Sequence, residues 1–412
     1  MSDAEAVGMS AERLARIRPV LASYVDDGRL AGVTTLLARR GQIIHEETVG
    51  YRVRETSAPM MPDTIFRIFS MTKPIICTAL MLLFEEGRFR LYDPVSRYIP
   101  AFADLKVYAG EDENGLRLEP LAREVTIRDL LTHTSGLTYH WLEYGPVEAL
   151  YRREKVASDK PLAEFVADLL KLPLAFQPGT RWRYSYAHDV VAYLVEVISG
   201  QTAAEFLQAR LFGPLGMVDT GYFVPADKLD RFAAMYGSRN VISPEMTVTE
   251  WFGAAIMGAN NLLAGPEDGI EASPHEIHRG GHGLVSTAMD YYRFSQMLLD
   301  GGVANGQRIM SRKTIELMAS NHLAPELLPY ELAGLPSPGG GYGLGFRVLT
   351  DVAQTQLPGS VGSFSWGGAA NTTFWIDPQE QLIGILMAQF QPSGHHPVAD
   401  DFRQLVYAAI ND

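Results

Sequence analysis

The rhythm of hydrophobic and polar positions changes several times along this chain. The opening stretch, "MSDAEAVGMSAERLARIRPVLASYVDDG", alternates charged and apolar residues at the spacing of an amphipathic helix. "GVTTLLARRGQIIHEETVGYR" then places two β-rich runs around Arg40-Gly41-Gln42, which predicts a hairpin. From Ser70 to about residue 235 the period is mostly helical, in "ICTALMLLFEEG", "VTIRDLLTH", "LAEFVADLLKL" and "VVAYLVEVISG". Glycine follows several of these runs, where a helix stops. A less regular stretch with Gly and Pro, Tyr236 to Arg279, reads as a lid or a cleft wall. Strands return in "GYGLGFRVL", "ANTTFWID" and "QLIGILMAQF", the last two joined by the turn "PQE", and "VADDFRQLVYAAI" predicts a closing helix.

Strands at both ends with helices between them predict an α/β (α+β) protein whose termini share one antiparallel sheet flanked by helices. The expected division is 1–65 with 280–412 as the sheet-bearing part, and 66–279 as a mainly helical insertion with cleft loops. At 412 residues the chain buries a sizeable core. A cleft between the two parts is the natural place for a site.

Composition narrows the function. With 47% hydrophobic and 20% charged residues the chain reads as a soluble globular protein. Its net charge of -13 argues against nucleic acid and anionic membranes as partners. No segment reaches the roughly 20 apolar residues that span a bilayer. The first residues lack the pattern of a secretory signal, so a cytoplasmic setting is expected. Cys77, the single cysteine, lies in "PIICTALMLLF" and is expected to be buried and inert. Nothing in the sequence sets an oligomeric state.

Chemistry concentrates at "FRIFSMTKPI". If a helix starts here, Ser70 and Lys73 lie on one face, three residues apart, and Pro74 is tolerated in the first turn. A serine hydroxyl is a weak nucleophile, and an amine kept neutral by burial is one way to remove its proton. A bare S-x-x-K also occurs where serine caps a helix and lysine is solvated.

The rest of the chain tips the balance. "DTIFRIFSMTKPI", "LYDPVSRYIP", "LLTHTSGL", "FQPGTRWRYS", "GGHGLVSTAMDYYRFSQMLLDGG" and the terminal strand pair occur in the order found in the serine β-lactamase and penicillin-binding-protein superfamily. More narrowly, the chain resembles the class C β-lactamase-like carboxylesterases of family VIII. The resemblance implies a β-lactamase-like fold and an acyl-enzyme on Ser70, with Lys73 as its base. It implies Tyr184, first residue of Tyr184-Ser185-Tyr186, as a proton relay. By residue chemistry alone Tyr186 is equally eligible. It also implies an oxyanion hole from the backbone N–H groups of Ser70 and Ala369, the residue after the strand-borne triplet Trp366-Gly367-Gly368. Tyr186 and the triplet would line the substrate site.

The departures carry information too. β-Lactamases have K-T-G where this chain has W-G-G, and Tyr186 stands where class C enzymes have an asparagine. Both changes favour small neutral carboxylic esters over β-lactams. Acyl transfer, amide or β-lactam hydrolysis, and a catalytically silent ligand-binding relative remain the alternatives. No cofactor is implied. His275, Glu276 and His278 fall in an irregular loop without H-E-x-x-H geometry, so no metal is expected. His133 reads as structural, and His282 as a glycine-flanked residue near the cleft. His395 and His396 read as solvated or packed on the last helix. The loops at 107–123, 139–160 and 237–279 are expected to set specificity.

Overall fold

In the computed structural model, which describes residues 3–113, 115–238 and 246–412, the terminal runs form an eight-stranded antiparallel sheet. Its strands in chain order are β1 (Gly32–Arg39), β2 (Gln42–Val53), β3 (Ala58–Pro59), β4 (Gly340–Tyr342), β5 (Arg347–Leu349), β6 (Phe364–Gly367), β7 (Thr373–Asp377) and β8 (Leu382–Ala388). Across the sheet they run β4-β5-β6-β7-β8-β1-β2-β3. The two ends of the chain therefore meet where β1 pairs with β8, from Val33 opposite Ala388 to Arg39 opposite Leu382. Arg40 and Gly41, at φ 52° and 74°, close the β1–β2 hairpin. Positive φ at both turn residues matches the right-handed twist of the flanking strands.

Alternation along these strands sorts side chains to two faces. Leu36, Ala38, Phe374, Ile376, Ile383, Ile385 and Met387 enter the large core on one face. Val33, Leu37, Trp375, Leu382, Leu386 and Ala388 enter a second cluster on the other.

The helices that frame the site and its support are α1 (Ile17–Asp26), α2 (Thr72–Glu85), α3 (Ala187–Ser199), α4 (Val248–Met257), α5 (Ala288–Leu299) and α6 (Val398–Ala408). Ile17, Leu21 and Tyr24 of α1 and Val398, Phe402 and Val406 of α6 recur every three or four residues and cover the second face. Every residue of α2 from Thr72 to Leu83 is buried, so "TALMLLF" is a core helix. Truncating one of its buried leucines, Leu80→Ala, is expected to cost roughly 2–5 kcal/mol. Among the described residues no single helix is long and apolar enough to cross a membrane. Cys77 is buried and free.

Two departures from the sequence reading stand out in the middle of the chain. The 107–123 segment is largely a hairpin, Lys106–Asp112 with Gly115–Pro120, inside a region read as helical with loops. The irregular stretch after Tyr236 contains α4 and the strand Asn261–Ala264, which pairs with Met235–Gly237. Residues 239–245 of that stretch lie outside the described residues.

Candidate active site

Ser70 stands two residues ahead of the α-helix rather than at its first position. It lies in a 3₁₀ turn, Phe69–Met71, and α2 begins at Thr72. Pro74 therefore falls in the first turn of α2, where a missing N–H breaks no intrahelical bond. Phe69, just before Ser70, is held at φ 45°, an unfavourable region for a bulky residue. Its ring is buried against Met235 and Ala370, and that packing holds the strained backbone. Among the described residues, the backbone N–H groups of Ser70 and Ala369 donate to no acceptor. Both residues line one cleft of about 1130 Å³.

Lys73 and Tyr184 converge on the same oxygen. Lys73 Nζ donates to Ser70 Oγ at 3.2 Å and to the Gly281 carbonyl at 2.6 Å. The Tyr184 hydroxyl donates to Ser70 Oγ at 2.8 Å. The sequence leaves open which of the two groups loses its proton, since a cationic lysine would favour a tyrosinate. Burial decides the matter. It lowers Lys73 to about 7, against the opposing pull of Asp189, and pushes the Tyr184 phenol up. Burial thus favours the neutral phenol on Tyr184 and the neutral amine on Lys73.

Tyr186 diverges from Tyr184. It is the N-cap of α3, at φ -64° and ψ 7°, so the pair does not share the direction an extended loop would give it. Its hydroxyl pairs with His140 Nδ1 at 2.5 Å, and its ring meets Phe165 at 5.2 Å. The Trp366 ring packs 5.7 Å from that of Tyr184. At the end of β6, Gly368 N donates to the Thr372 carbonyl at 2.7 Å. A Cβ on Gly368 would lie 2.2 Å from Thr372 Oγ1 and 2.5 Å from the Ile68 carbonyl. Only glycine lets this segment close on the turn that carries Ser70.

Sequence reasoning passed over several residues that the fold brings here. Asp189, on the first turn of α3, is fully buried and its Oδ1 accepts from Gly281 N at 3.2 Å. Gly281 in turn supplies the carbonyl that anchors Lys73. An acidic residue immediately before the apolar run "VVAYLVEVISG" was the available signal. Trp141 stacks on Trp251 of α4, ring centroids 5.7 Å apart, and both line the cleft.

The candidate histidines separate clearly. His133, at φ 58°, stacks 4.1 Å from His188 beneath Tyr184. Burial lowers its pKa well below the usual value. His282 is on the cleft wall, and burial with Arg279 and Lys73 nearby lowers it to about 3. His275 and His278 bond to the backbone carbonyls of Tyr222 and His275. His395 and His396, expected to be solvated or packed on the last helix, stand just ahead of Pro397, the N-cap of α6, and line the cleft. Parts of 139–160 and 237–279 line the cleft, whereas the described residues of 107–123 contribute none of its lining.

Comparison with known proteins agrees with this architecture. A family model described as "Beta-lactamase" matches residues 17–409. Protein Rv1367c of Mycobacterium tuberculosis (strain ATCC 25618 / H37Rv) is 36% identical over 373 residues, covering 89% of this chain and 88% of that protein. Esterase EstB of Burkholderia gladioli is 32% identical over 423 residues, covering 97% and 96%. Among solved structures, EstCE1, a hydrolase with promiscuous acyltransferase activity, superimposes with a TM-score of 0.78 at 28% identity, covering 96% of this chain and 99% of that one.

Proposed function

The chain belongs to the beta-lactamase family, and on that premise we propose a specific division of labour within a serine carboxylesterase. Ser70 is the nucleophile, Lys73 and Tyr184 exchange its proton, and the N–H groups of Ser70 and Ala369 hold the oxyanion. One observation carries the reading: Ser70 Oγ accepts from both Lys73 Nζ and the Tyr184 hydroxyl, beside two backbone donors without an acceptor among the described residues.

In acylation, neutral Lys73 takes the proton of Ser70 Oγ as that oxygen bonds to the ester carbonyl carbon. The carbonyl oxygen gains charge and is met by the two N–H groups, each typically worth about 3 kcal/mol to the transition state. The tetrahedral adduct collapses as the carbon–alkoxide bond breaks. Tyr184 hands its proton to the departing oxygen and is reprotonated from Lys73. Water then attacks the acyl-enzyme, losing its proton to the same pair, and Ser70 leaves with a proton restored. In acyl transfer, the activity named for EstCE1, an alcohol takes the place of that water.

The aromatic lining of Tyr184, Trp366, Trp141 and Trp251 supports small neutral esters as substrates. We further propose that the ends of the chain, 1–65 and 280–412, supply Trp366, Gly367, Gly368 and Ala369. The middle, 66–279, supplies Ser70, Lys73, Tyr184 and Tyr186. A cytoplasmic setting fits a chain whose one cysteine forms no disulfide. The substrate class is tested by kcat/KM for short-chain aryl esters and for benzylpenicillin, with the ester expected to lead by several powers of ten. Equal values would refute the preference and would point to Arg347, which lines the cleft one strand from Trp366, as a carboxylate binder.

A further inference from the structure

Arg279 is a buried cation whose donors are not all used. It is 4% exposed, lines the cleft, and its guanidinium carbon sits 3.5 Å above the Phe165 ring centroid. Nη2 donates to the Ser158 carbonyl at 2.7 Å, whereas Nη1 is buried without a partner. Among the described residues no carboxylate reaches ion-pair distance of it, although Asp189 and Asp159 act on it electrostatically. Arg67, equally buried on the same cleft, has by contrast an acceptor at each of its three nitrogens. It meets Glu271 at 3.3 Å and the carbonyls of Ala233 and Asp268. Buried guanidinium N–H groups without acceptors are rare and destabilising, because arginine has donors only.

The position of Arg279 ties it to the reaction. Two residues further on is Gly281, whose carbonyl anchors Lys73, and two residues of extended chain span at most about 7 Å. Its backbone is fixed as well. The Arg279 carbonyl accepts from the Tyr222 hydroxyl at 2.9 Å, and a Cβ on Gly280 would collide with the His188 carbonyl at 2.0 Å.

We propose that Arg279 is the anchor of a polar subsite on the wall formed with Phe165, Ser158 and Tyr186, which takes a second oxygen acceptor of the substrate, a ketone or carboxylate oxygen remote from the ester. Asp189 and Asp159 act on Arg279 electrostatically without pairing with it, so its free donor is open to a neutral carbonyl as well as to an anion. The preferred substrate is then an ester bearing a second carbonyl function, rather than a plain alkyl ester. This rests on the reading of Ser70 as an esterase nucleophile.

The test compares matched esters in the full-length protein. On the acyl side, 4-nitrophenyl pentanoate is set against the 4-oxopentanoate and the glutarate monoester. On the alcohol side, pentyl acetate is set against the acetate of 5-hydroxypentanoic acid. Shorter and longer homologues are included in both arms. A hydrogen bond to a charged donor predicts that the best oxygenated member leads its hydrocarbon partner by about 10- to 100-fold in kcat/KM. The responding arm tells which half of the ester faces Arg279, and the ketone-to-carboxylate ratio tells whether charge is read. Arg279→Met should bring the ratio near one, and Arg279→Lys should fall between, keeping charge without the planar fork. A wild-type ratio near one throughout both arms, with plain esters still cleaved and Ser70 still labelled, overturns the subsite and leaves the esterase reading intact. If no ester is cleaved and Ser70 resists labelling, the esterase reading fails and the subsite with it.

Discussion

The hydroxyl of Tyr184 donates to Ser70 Oγ at 2.8 Å from 114 positions further along the chain, while Tyr186, two residues further on, is turned to His140. Removing one oxygen from each should therefore give different phenotypes. Tyr184→Phe keeps the ring and deletes the relay, and should lower kcat by at least about a hundredfold. Tyr186→Phe should alter KM or substrate preference with kcat largely kept. Steady-state kinetics on one aryl ester separates the two, and exchanged phenotypes would assign the relay to Tyr186.

Lys73 predicts the pH dependence. Burial lowers it to about 7, and the proposed base is its neutral form. Hence kcat/KM should rise with pH through an apparent pKa near 7 and level off above it. A profile flat from pH 5.5 to 8.5 would exclude Lys73 as the base.

Asp189 should tune that limb. Its carboxylate raises Lys73 by favouring the ammonium form, and it bonds to the N–H of the glycine whose carbonyl holds Nζ. Asp189→Asn removes the charge and keeps the shape, so the acid limb should move to lower pH, by on the order of one unit. A drop in kcat with the limb unmoved would reduce Asp189 to a packing role.

Much of this architecture was legible because period and burial coincide. The β1–β2 hairpin, α2, α3 and the β7–β8 pair fall where alternation or helical spacing put them. The S-x-x-K spacing brought Ser70 and Lys73 together. What the sequence lacked was long-range information. Asp189 and Arg279 are isolated polar residues in an apolar helix and a glycine-rich turn, and only tertiary packing gives them neighbours. The choice between Tyr184 and Tyr186 depended on a backbone turn at Tyr186 that periodicity does not encode. The hairpin at Lys106–Pro120 alternates weakly and is mostly exposed, so it gave little strand signal.

Gly368 offers a test that touches no side-chain chemistry. Adding a methyl group there forces apart the Ile68 carbonyl and Thr372, displacing Ala369 from the turn of Ser70. Gly368→Ala is expected to lose about 1–3 kcal/mol of stability through overpacking. It should also lower kcat by more than KM changes, because the oxyanion donor moves. Thermal unfolding with kinetics checks both, and an unchanged kcat would remove Ala369 from the oxyanion hole.

Every step of the proposed reaction passes through an acyl-enzyme on Ser70, and covalent labelling reads that bond site by site. The protein is treated with a serine-reactive alkyl phosphonate fluoride, digested with trypsin and mapped by mass spectrometry. Esterase activity should be lost stoichiometrically, with one adduct on Ser70 in the peptide that begins at Ile68 and no adduct in Ser70→Ala. An adduct on another serine with Ser70 unmodified, or full esterase activity in Ser70→Ala, would contradict an acyl-enzyme on Ser70.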